Sequence, residues 1–398
     1  MSRVVFVDGM RTPFGRLGGK LCTYYPSEML GMTIKQILDR NHIENRAEVA
    51  VYAGSALHDA HTHNMARFAG LYAGLPYEST ATFVEMQCGS GIACINHAAL
   101  ALLNGDEEIC VAGGAEGYSQ MFAKFSTSYI PYKATYPMPI PQKLAPKAED
   151  SIGMIEVSDR MAERWNISRE ECDVFAYNSQ QRAYAALTAG KLQKDMFEVV
   201  TPQKKGDPIV AKDDEQPRPS TTLEGLAKLK PVREGGVTTA GNASGRNDGA
   251  SAVLMMTEEK ALSLGLKPIA YWVGGAVSGV DPKYMGIGPA YSNTKLLKRF
   301  GLQINDIDVY ECNEAFAAQN LGVIREMENL MGGTVNMDNW NPNGGAITYG
   351  HPNGASGARV GTFCMRELER RDGAKYGIFG SCCGGGHGTS TIIENLRR

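Results

Sequence analysis

The sequence predicts an α/β protein built from two copies of one layout, with mixed, mainly parallel sheets, and three observations carry that prediction. Stretches with helical apolar spacing alternate with short β-rich runs, the pattern of strands covered on both faces by crossover helices. The segment MTIKQILDRNHIENRAEVAVYAGSALHD from residue 32 parallels NTKLLKRFGLQINDIDVYECNEAF from residue 293, each reading as amphipathic helix, polar turn and strand. The segment EMQCGSGIACINHAALALLNGDEEICVAGGAE from residue 85 parallels YGHPNGASGARVGTFCMRELERRDGAKYGIFGSCCGGG from residue 349. Both members of that pair place a glycine-rich elbow before a long helix, then a polar turn and an apolar strand ending in glycines. Two such halves imply an approximate twofold arrangement, and 398 residues suffice for more than one domain.

Taken in order, the opening MSRVVFVDGMRTPFG is interrupted by Asp8, Arg11 and Pro13 and lacks the continuous apolar run of a signal peptide. Matching Val51-Tyr52 to Val309-Tyr310 aligns Ser55 with Asn313. The elbow QCGSG leads into a helix from near Ile92. After its glycines the C-terminal copy continues at once into a strand, GTSTIIENL, whereas the N-terminal copy finds its counterpart only in ASAVLMMT at 250–257. The segment 119–249 intervenes, with a proline-rich part (YIPYKATYPMPIPQKLAPKAED), a helical part (SREECDVFAYNSQQRAYAALTAGK) and a polar connector (KKGDPIVAKDDEQPRPSTTLEGLAKLKP). A structureless loop of that length is unusual, so a subdomain laid over the core is expected. The expected division is 1–118 with 250–266, the inserted 119–249, and 267–398.

Composition excludes several classes. Net charge is −3 and the pI about 6.2, so no global basic field argues for nucleic acid or an anionic membrane. Apolar residues make up 43% and charged residues 21%, the balance of a chain that can bury a core. No run approaches bilayer-spanning length. Nine cysteines, an odd number with no export signal, fit a reducing compartment, and a cytoplasmic location is expected. No CxxC or HExxH is present, and His58, His61 and His63 in LHDAHTHN lack zinc spacing, so no metal site is expected.

Ligands of such sheets collect beyond the carboxyl ends of the strands, where the duplication places four elbows: QCGSG at Cys88, ECNEAF at Asn313, GHPNG at His351 and SCCGGG at Cys382. A thiol at a helix N-terminus feels the positive end of the dipole, which favours thiolate at Cys88; taken alone, Cys88 reads first as an inert buried cysteine. His351 can take that thiol's proton and return it, although an isolated GHP reads as a turn. Asn313 can donate to an oxyanion directly or through water, or cap the following helix. A second thiol at Cys382 can act as acid and base on the carbon next to a thioester carbonyl, with Gly384 and its neighbours offering N–H groups. A disulfide between the adjacent Cys382 and Cys383 would be strained.

At these residues the sequence resembles the thiolase family over nearly the whole chain. The resemblance includes VDGMRTPFGRLGGKL, QCGSGIA, TAGNASGRNDGA, VDPKYMGIGP, NEAFAAQ, GGAITYGHPNGASGAR and the C-x-GGG-x-G ending. It implies a layered αβαβα fold, with 119–249 covering the coenzyme A site. It implies that Cys88 becomes acylated, that His351 activates it, and that Cys382 handles the proton of the second substrate, with Cys383 a packing residue. It also implies two oxyanion sites, one from Asn313 through water with His351 and one from the backbone N–H groups of Cys88 and Gly384. Ser244 matches a residue contacting the pantetheine arm, and Arg218 lies in the connector covering the adenine nucleotide, beside Lys204, Lys205 and Lys228. Those lysines read equally as a solvated face. Phe316 and Met285 match wall positions. One departure is Ser151-Ile152 before Gly153, where short-chain biosynthetic relatives commonly carry His-Met; it leaves the acyl pocket and the contact at Ile152 open.

The reaction so implied is acyl transfer, two acetyl-CoA giving acetoacetyl-CoA and CoA or the reverse, with no cofactor beyond coenzyme A as substrate. A 3-ketoacyl-CoA thiolase of broader chain length is the alternative within the family, and a homodimer or homotetramer is expected. From other classes, a thiol redox sensor predicts a reversible disulfide, and a non-catalytic acyl-CoA binder predicts no adduct.

Overall fold

The structure, a computed structural model, describes residues 3–126, 130, 132–133 and 136–397. The first half comprises β1 (Val4–Arg11), the short β2 (Gly15–Arg16), α1 (Pro26–Arg40), β3 (Val49–Gly54), α2 (Met65–Tyr72), β4 (Ala81–Val84), α3 (Ser90–Asn104) and β5 (Ile109–Gly117). The inserted segment contributes α4 (Met154–Arg164), α5 (Arg169–Thr188), a ribbon of β6 (Val199–Thr201) and β7 (Ile209–Ala211), and α6 (Leu223–Ala227). Then β8 (Asn247–Thr257) and α7 (Glu258–Ser263) close the first half. The second half runs β9 (Ala270–Gly279), α8 (Gly288–Phe300), β10 (Ile307–Cys312), α9 (Ala317–Met331), α10 (Ala346–Tyr349), α11 (Asn353–Arg370), β11 (Tyr376–Cys383) and β12 (His387–Asn395).

Strand order repeats between the halves. The first is β4–β3–β5–β8–β1 and the second β10–β11–β12–β9, and in each a single strand, β8 or β12, runs against the others. The 250–257 stretch lies in β8, paired with β5 as β12 is with β11. The two expected sheets are not separate, because β1 and β9 pair through Val5↔Tyr271 and Phe6↔Ala270 into one path of nine strands, with the short β2 paired to β8 beside it. Each of these strands ends its own half, and pairing satisfies edge groups that burial would otherwise leave without partners.

The layers follow from burial. One core packs α1 and α2 on the outer face of the first half, and another packs α8, α9, α4 and α5 on the outer face of the second. Between the halves a third core joins Ile92 and Ile95 of α3 and Val360 and Cys364 of α11 to strands of both. Residues Gly354 to Leu368 of α11 are all buried. Arg366 reaches Asp8 (2.6 Å) and Asp195 (2.8 Å), which ties α11 to β1 and to the inserted segment. A charge in this position holds only while its partners remain.

Two glycines set how closely α3 and α11 approach. A Cβ on Gly91 would lie 2.9 Å from Ala358 N, and one on Gly357 would lie 2.4 Å from Ile92 N. Only residues without a side chain allow this contact, and it brings the N-terminal elbows of the two helices together. The insertion is anchored by Asp214, which accepts from Arg11 Nη1 (2.6 Å), Arg11 Nη2 (2.8 Å) and Phe14 N–H (2.7 Å). Of its proline-rich part, residues 129, 131, 134 and 135 lie outside the described residues. Residues 124–126 and 138–140 pair around them, Ser126 N–H donating to Met138 O and Ile140 N–H to Lys124 O, both at 2.9 Å. Among the described residues no helix is long and apolar enough to cross a membrane.

Candidate active site

Cys88 sits in a short 3₁₀ turn, 87–89, immediately before α3. The turn is held by side chains as well as by helix geometry. Gln87 has φ +48°, a strained backbone for a residue with a side chain, and its N–H donates to Glu85 Oε1 (2.7 Å). Met86 N–H donates to Ser90 Oγ (2.9 Å), and that hydroxyl donates to Gln87 O (2.7 Å). His351 occupies the equivalent elbow before α11, and its N–H donates to Asn247 Oδ1 (3.1 Å).

Both residues line one cavity of about 640 Å³ together with Gly384, Ser244, Met285 and Phe316. Asn313 is buried behind His351, its Nδ2 3.4 Å from each ring nitrogen. Cys382 is fully buried at the end of β11 and does not line the cavity wall, but Cys88 is the first of the charged or ionisable groups acting on it. Cys383 packs against Gly89, where a Cβ would lie 2.4 Å from its Sγ. All nine cysteines are free. Ile152 is half-buried and packs on the outer core of the second half, while its neighbours Gly153 and Met154 line the cavity. Ser151 accepts from Leu144 N–H (2.9 Å) and so holds a wall residue in place. Arg218 lines a separate cavity of about 210 Å³ with Thr221, Leu226, Gly241 and Ile347, and Lys204, Lys205 and Lys228 are exposed.

Electrostatics correct the expectation of a resting thiolate at Cys88. Burial, reinforced by Glu116, pushes the thiol up to about 12, against the lowering effect of the backbone N–H groups of Cys88 and Gly384. Desolvation of the whole elbow outweighs the dipole of one helix end. Those same two N–H groups act on the sulfur and so stand on the side of the elbow where an acyl group would be bonded. His351 is pushed down to about 3, first by burial and then by Arg359, and is therefore neutral near pH 7. Its Nδ1 lies 2.6 Å from Ser356 Oγ, whose own proton is donated to Pro352 O (3.1 Å). Ser356 thus accepts from Nδ1–H, and the lone pair stays on Nε2. A neutral thiol beside a neutral imidazole transfers its proton as attack occurs. Burial also raises Cys382 well above the usual thiol range, so its thiolate, once formed, is a strong base.

Two buried charged residues that shape the site escaped the sequence reading. Glu116, at the end of β5, is fully buried and pushed up to about 7 by burial. It accepts from Ser55 Oγ (2.6 Å), Ala56 N–H (2.8 Å), Leu57 N–H (3.2 Å) and Gly354 N–H (3.1 Å), clamping the first turn of α11 to the loop after β3. Arg359, one turn into α11, donates to Asn313 Oδ1 at 3.4 Å and so turns the Asn313 amide N–H₂ toward His351. Its counter-charge is Glu311, at 3.8 Å. Both signals stood in quoted motifs, the last residue of VAGGAE and the last of GASGAR, but burial is what gives them meaning.

Comparisons with known proteins come down on one family. Residues 4–259 match the thiolase N-terminal domain and residues 266–395 the thiolase C-terminal domain. The chain is 40% identical over 413 residues to a β-ketoadipyl-CoA thiolase of Acinetobacter baylyi, covering 100% of both chains. It is 40% identical over 400 residues to an acetyl-CoA acetyltransferase of Chromobacterium violaceum, covering 98% of this chain and 99% of that one. Among solved structures, the Bacillus anthracis acetyl-CoA acetyltransferase superposes with a TM-score of 0.91 at 35% identity, covering 100% of this chain and 99% of that one.

Proposed function

The chain belongs to the thiolase family, whose chemistry is acyl transfer and thiolysis, and from that premise we propose that it is an acetyl-CoA acetyltransferase working through an acyl-Cys88 intermediate. The observation that carries the reading is that Cys88, just before α3, and His351, just before α11, line one cavity together with Gly384.

Cys88 Sγ attacks the thioester carbonyl of acetyl-CoA as its proton passes to His351 Nε2, and the carbonyl oxygen takes its charge between the two N–H groups. Each such donor is worth about 10²- to 10³-fold in rate. The C–S bond to coenzyme A breaks, and the departing thiolate takes the proton of Cys382, leaving Cys382 as thiolate. That base removes an α-proton from a second acetyl-CoA, whose enolate oxygen is held by His351 and by Asn313 through water. The carbanion attacks the acetyl carbonyl on Cys88 to form acetoacetyl-CoA, and the Cys88 sulfur leaves with the proton held on His351. Each protein group ends with the number of protons it began with, the α-proton replacing the one that left with coenzyme A, so the same residues run the cleavage direction.

The cavity of about 640 Å³, with Leu57, Met121, Leu144 and Ile155 among its walls, supports a second reading within the family, in which longer 3-ketoacyl chains are cleaved. Coenzyme A acts as substrate, and a homodimer or homotetramer is proposed. Intact-mass measurement after exposure to acetyl-CoA under reducing conditions tests the reading. A single acetyl adduct that disappears in Cys88→Ala is expected; no adduct on the wild-type chain would fit a binder or a redox sensor instead.

A further inference from the structure

The wall of the catalytic cavity carries a cation that the acyl-transfer steps do not use. Arg246 lines the cavity beside Tyr118, Asn353 and His351. Its backbone is fixed, since it bridges to His351 and the next residue, Asn247, donates to Gly15 O at 2.9 Å as β8 begins. Its side chain is exposed, and among the described residues no hydrogen bond or ion pair engages the guanidinium. The other two charged residues lining this cavity are matched: Arg233 faces Asp159 at 3.6 Å, and Glu156 faces Arg160 at 2.9 Å. The Tyr118 hydroxyl donates to Asn353 Oδ1 at 3.2 Å, and its ring lies within electrostatic reach of both Cys88 and Arg246. An unmatched guanidinium thus shares a cavity with the nucleophile, and Leu57, Met121, Leu144, Ile155, Met285 and Phe316 supply the apolar part of its wall.

A cavity with apolar walls and one unpaired cation suits an acyl chain of methylene groups ending in an anion. A guanidinium offers a planar fork that a carboxylate can meet with two parallel hydrogen bonds. We propose that Arg246 selects 3-oxoacyl-CoA substrates whose acyl chain ends in a carboxylate, an inference that rests on the acyl-transfer reading above. In the cleavage direction Cys88 attacks C3, the C2–C3 bond breaks, and the acetyl-CoA carbanion takes the proton of Cys382. The carboxylate-bearing acyl group remains on Cys88 as a thioester, its free end at Arg246, until the thiol of coenzyme A removes it. No oxidant or further reactant is required.

The phosphates of coenzyme A could meet the same cation, and the experiment separates the two anions. Steady-state cleavage is measured with 3-oxoadipyl-CoA and 3-oxohexanoyl-CoA, equal in length and differing at the terminal group, with acetoacetyl-CoA as a third substrate. The wild-type chain is expected to favour the carboxylate in kcat/KM by about tenfold, the scale of a charge-assisted hydrogen-bond pair at a partly exposed site. Arg246→Met should collapse that ratio, and Arg246→Lys should keep part of it. A wild-type ratio of one or less, or a ratio unchanged by Arg246→Met, overturns the proposal. So does an equal rise in KM for coenzyme A and for all three esters in Arg246→Met, which would assign the cation to the phosphates. Cleavage of acetoacetyl-CoA without any carboxylate preference overturns this inference alone. Failure to acylate Cys88 with any of the three esters removes the acyl-transfer reading together with it.

Discussion

Replacing Arg359 by methionine tests the electrostatics beneath the site more sharply than removing a reacting group. Arg359 is fully buried, 3.8 Å from Glu311 and 3.4 Å from Asn313 Oδ1. At an effective dielectric of about 20, the Glu311 pair is worth about 4 kcal/mol of attraction once Glu311 is ionised, much of it offset by desolvation. Glu311 accepts no hydrogen bond at either oxygen, and burial pushes it up to about 8 although Arg359 pulls the other way. Glu314 and Glu367 also face it and raise it, while Arg370 lowers it. Without Arg359 its carboxyl stays protonated to still higher pH. A carboxyl whose folded pKa is raised contributes stability below its unfolded pKa and loses it as pH rises through the folded value. The cost of Arg359→Met in urea unfolding should therefore stay level from pH 6 to about pH 7.5 and grow by up to about 1.4 kcal/mol, the worth of one pH unit, as pH rises through 8 to 9. His351 gives the catalytic half of the test. It is pushed down first by burial and then by Arg359, so removing the cation raises its pKa toward, but not past, the ordinary imidazole value. His351 must be neutral to take the Cys88 proton, so the acid limb of Cys88 acetylation, followed by quenched intact mass, should move to higher pH. Arg359→Lys keeps the charge and should leave the limb near its wild-type position. Folded Arg359→Met with a wild-type acid limb would refute the claim that this cation acts on His351, and Glu311→Gln with Arg359→Met supplies a variant free of the stranded carboxylate if the single change unfolds.

Three further outcomes are expected. Cys382→Ser should still form the acetyl adduct on Cys88 while condensation falls by about 10²- to 10⁴-fold, because its thiol serves the second half-reaction; loss of the adduct itself would reassign its role. Gly357→Ala places a Cβ 2.4 Å from Ile92 N and should destabilise the chain by roughly 1–3 kcal/mol or more while lowering the acetylation rate, since it pushes the two elbows apart; a neutral result in both assays would contradict the close approach. Glu116→Gln removes a carboxyl pushed up to about 7 from 4.5, so the wild type should gain on the variant by on the order of 3 kcal/mol as pH falls from 8 to 5; a stability difference that is flat with pH would show that Glu116 does not titrate there.

Legibility in the sequence divides along physical lines. The internal match placed Cys88 and His351 at equivalent elbows, and they line one cavity because a repeated backbone layout survives translation into space. Gly384, Met285, Phe316 and Ser244 lie on the same cavity, where the quoted motifs put them. Ionisation was not legible. A helix dipole can be read from an elbow followed by a helix, but the desolvation that holds Cys88 near 12 depends on α11, β11 and the inserted segment closing around it. The same holds for Glu116 and Arg359, ordinary charged letters in a string until burial leaves each with a few chosen partners. The junction of β1 with β9 is likewise a tertiary matter, since neither strand's own pattern names its neighbour.

Register explains how a duplicated scaffold gives its two strand ends different chemistry. Gly54 pairs with Gly114 and Cys312 with Gly380, so with β3 laid on β10 the residue equivalent to Cys382 is Glu116. Ser55 is likewise equivalent to Asn313, and Cys88 to His351. In the first half the strand-end pair is consumed: Ser55 donates to Glu116, and the carboxylate's remaining lone pairs are filled by Ala56, Leu57 and Gly354. In the second half Asn313 turns its amide toward His351, and Cys382, at the register position of the clamp, has Cys88 as its first ionisable neighbour. The carboxylate that became a clamp holds α11 where the second elbow needs it, through the N–H of Gly354, three residues after His351. Loss of symmetry between two strand ends thus divides the labour, one half fixing the backbone and the other supplying the proton carriers. Exchanging the two side chains, Glu116→Cys with Cys382→Glu, should rebuild neither role, because a thiol cannot accept four donors and a carboxylate beside Cys88 would oppose its ionisation.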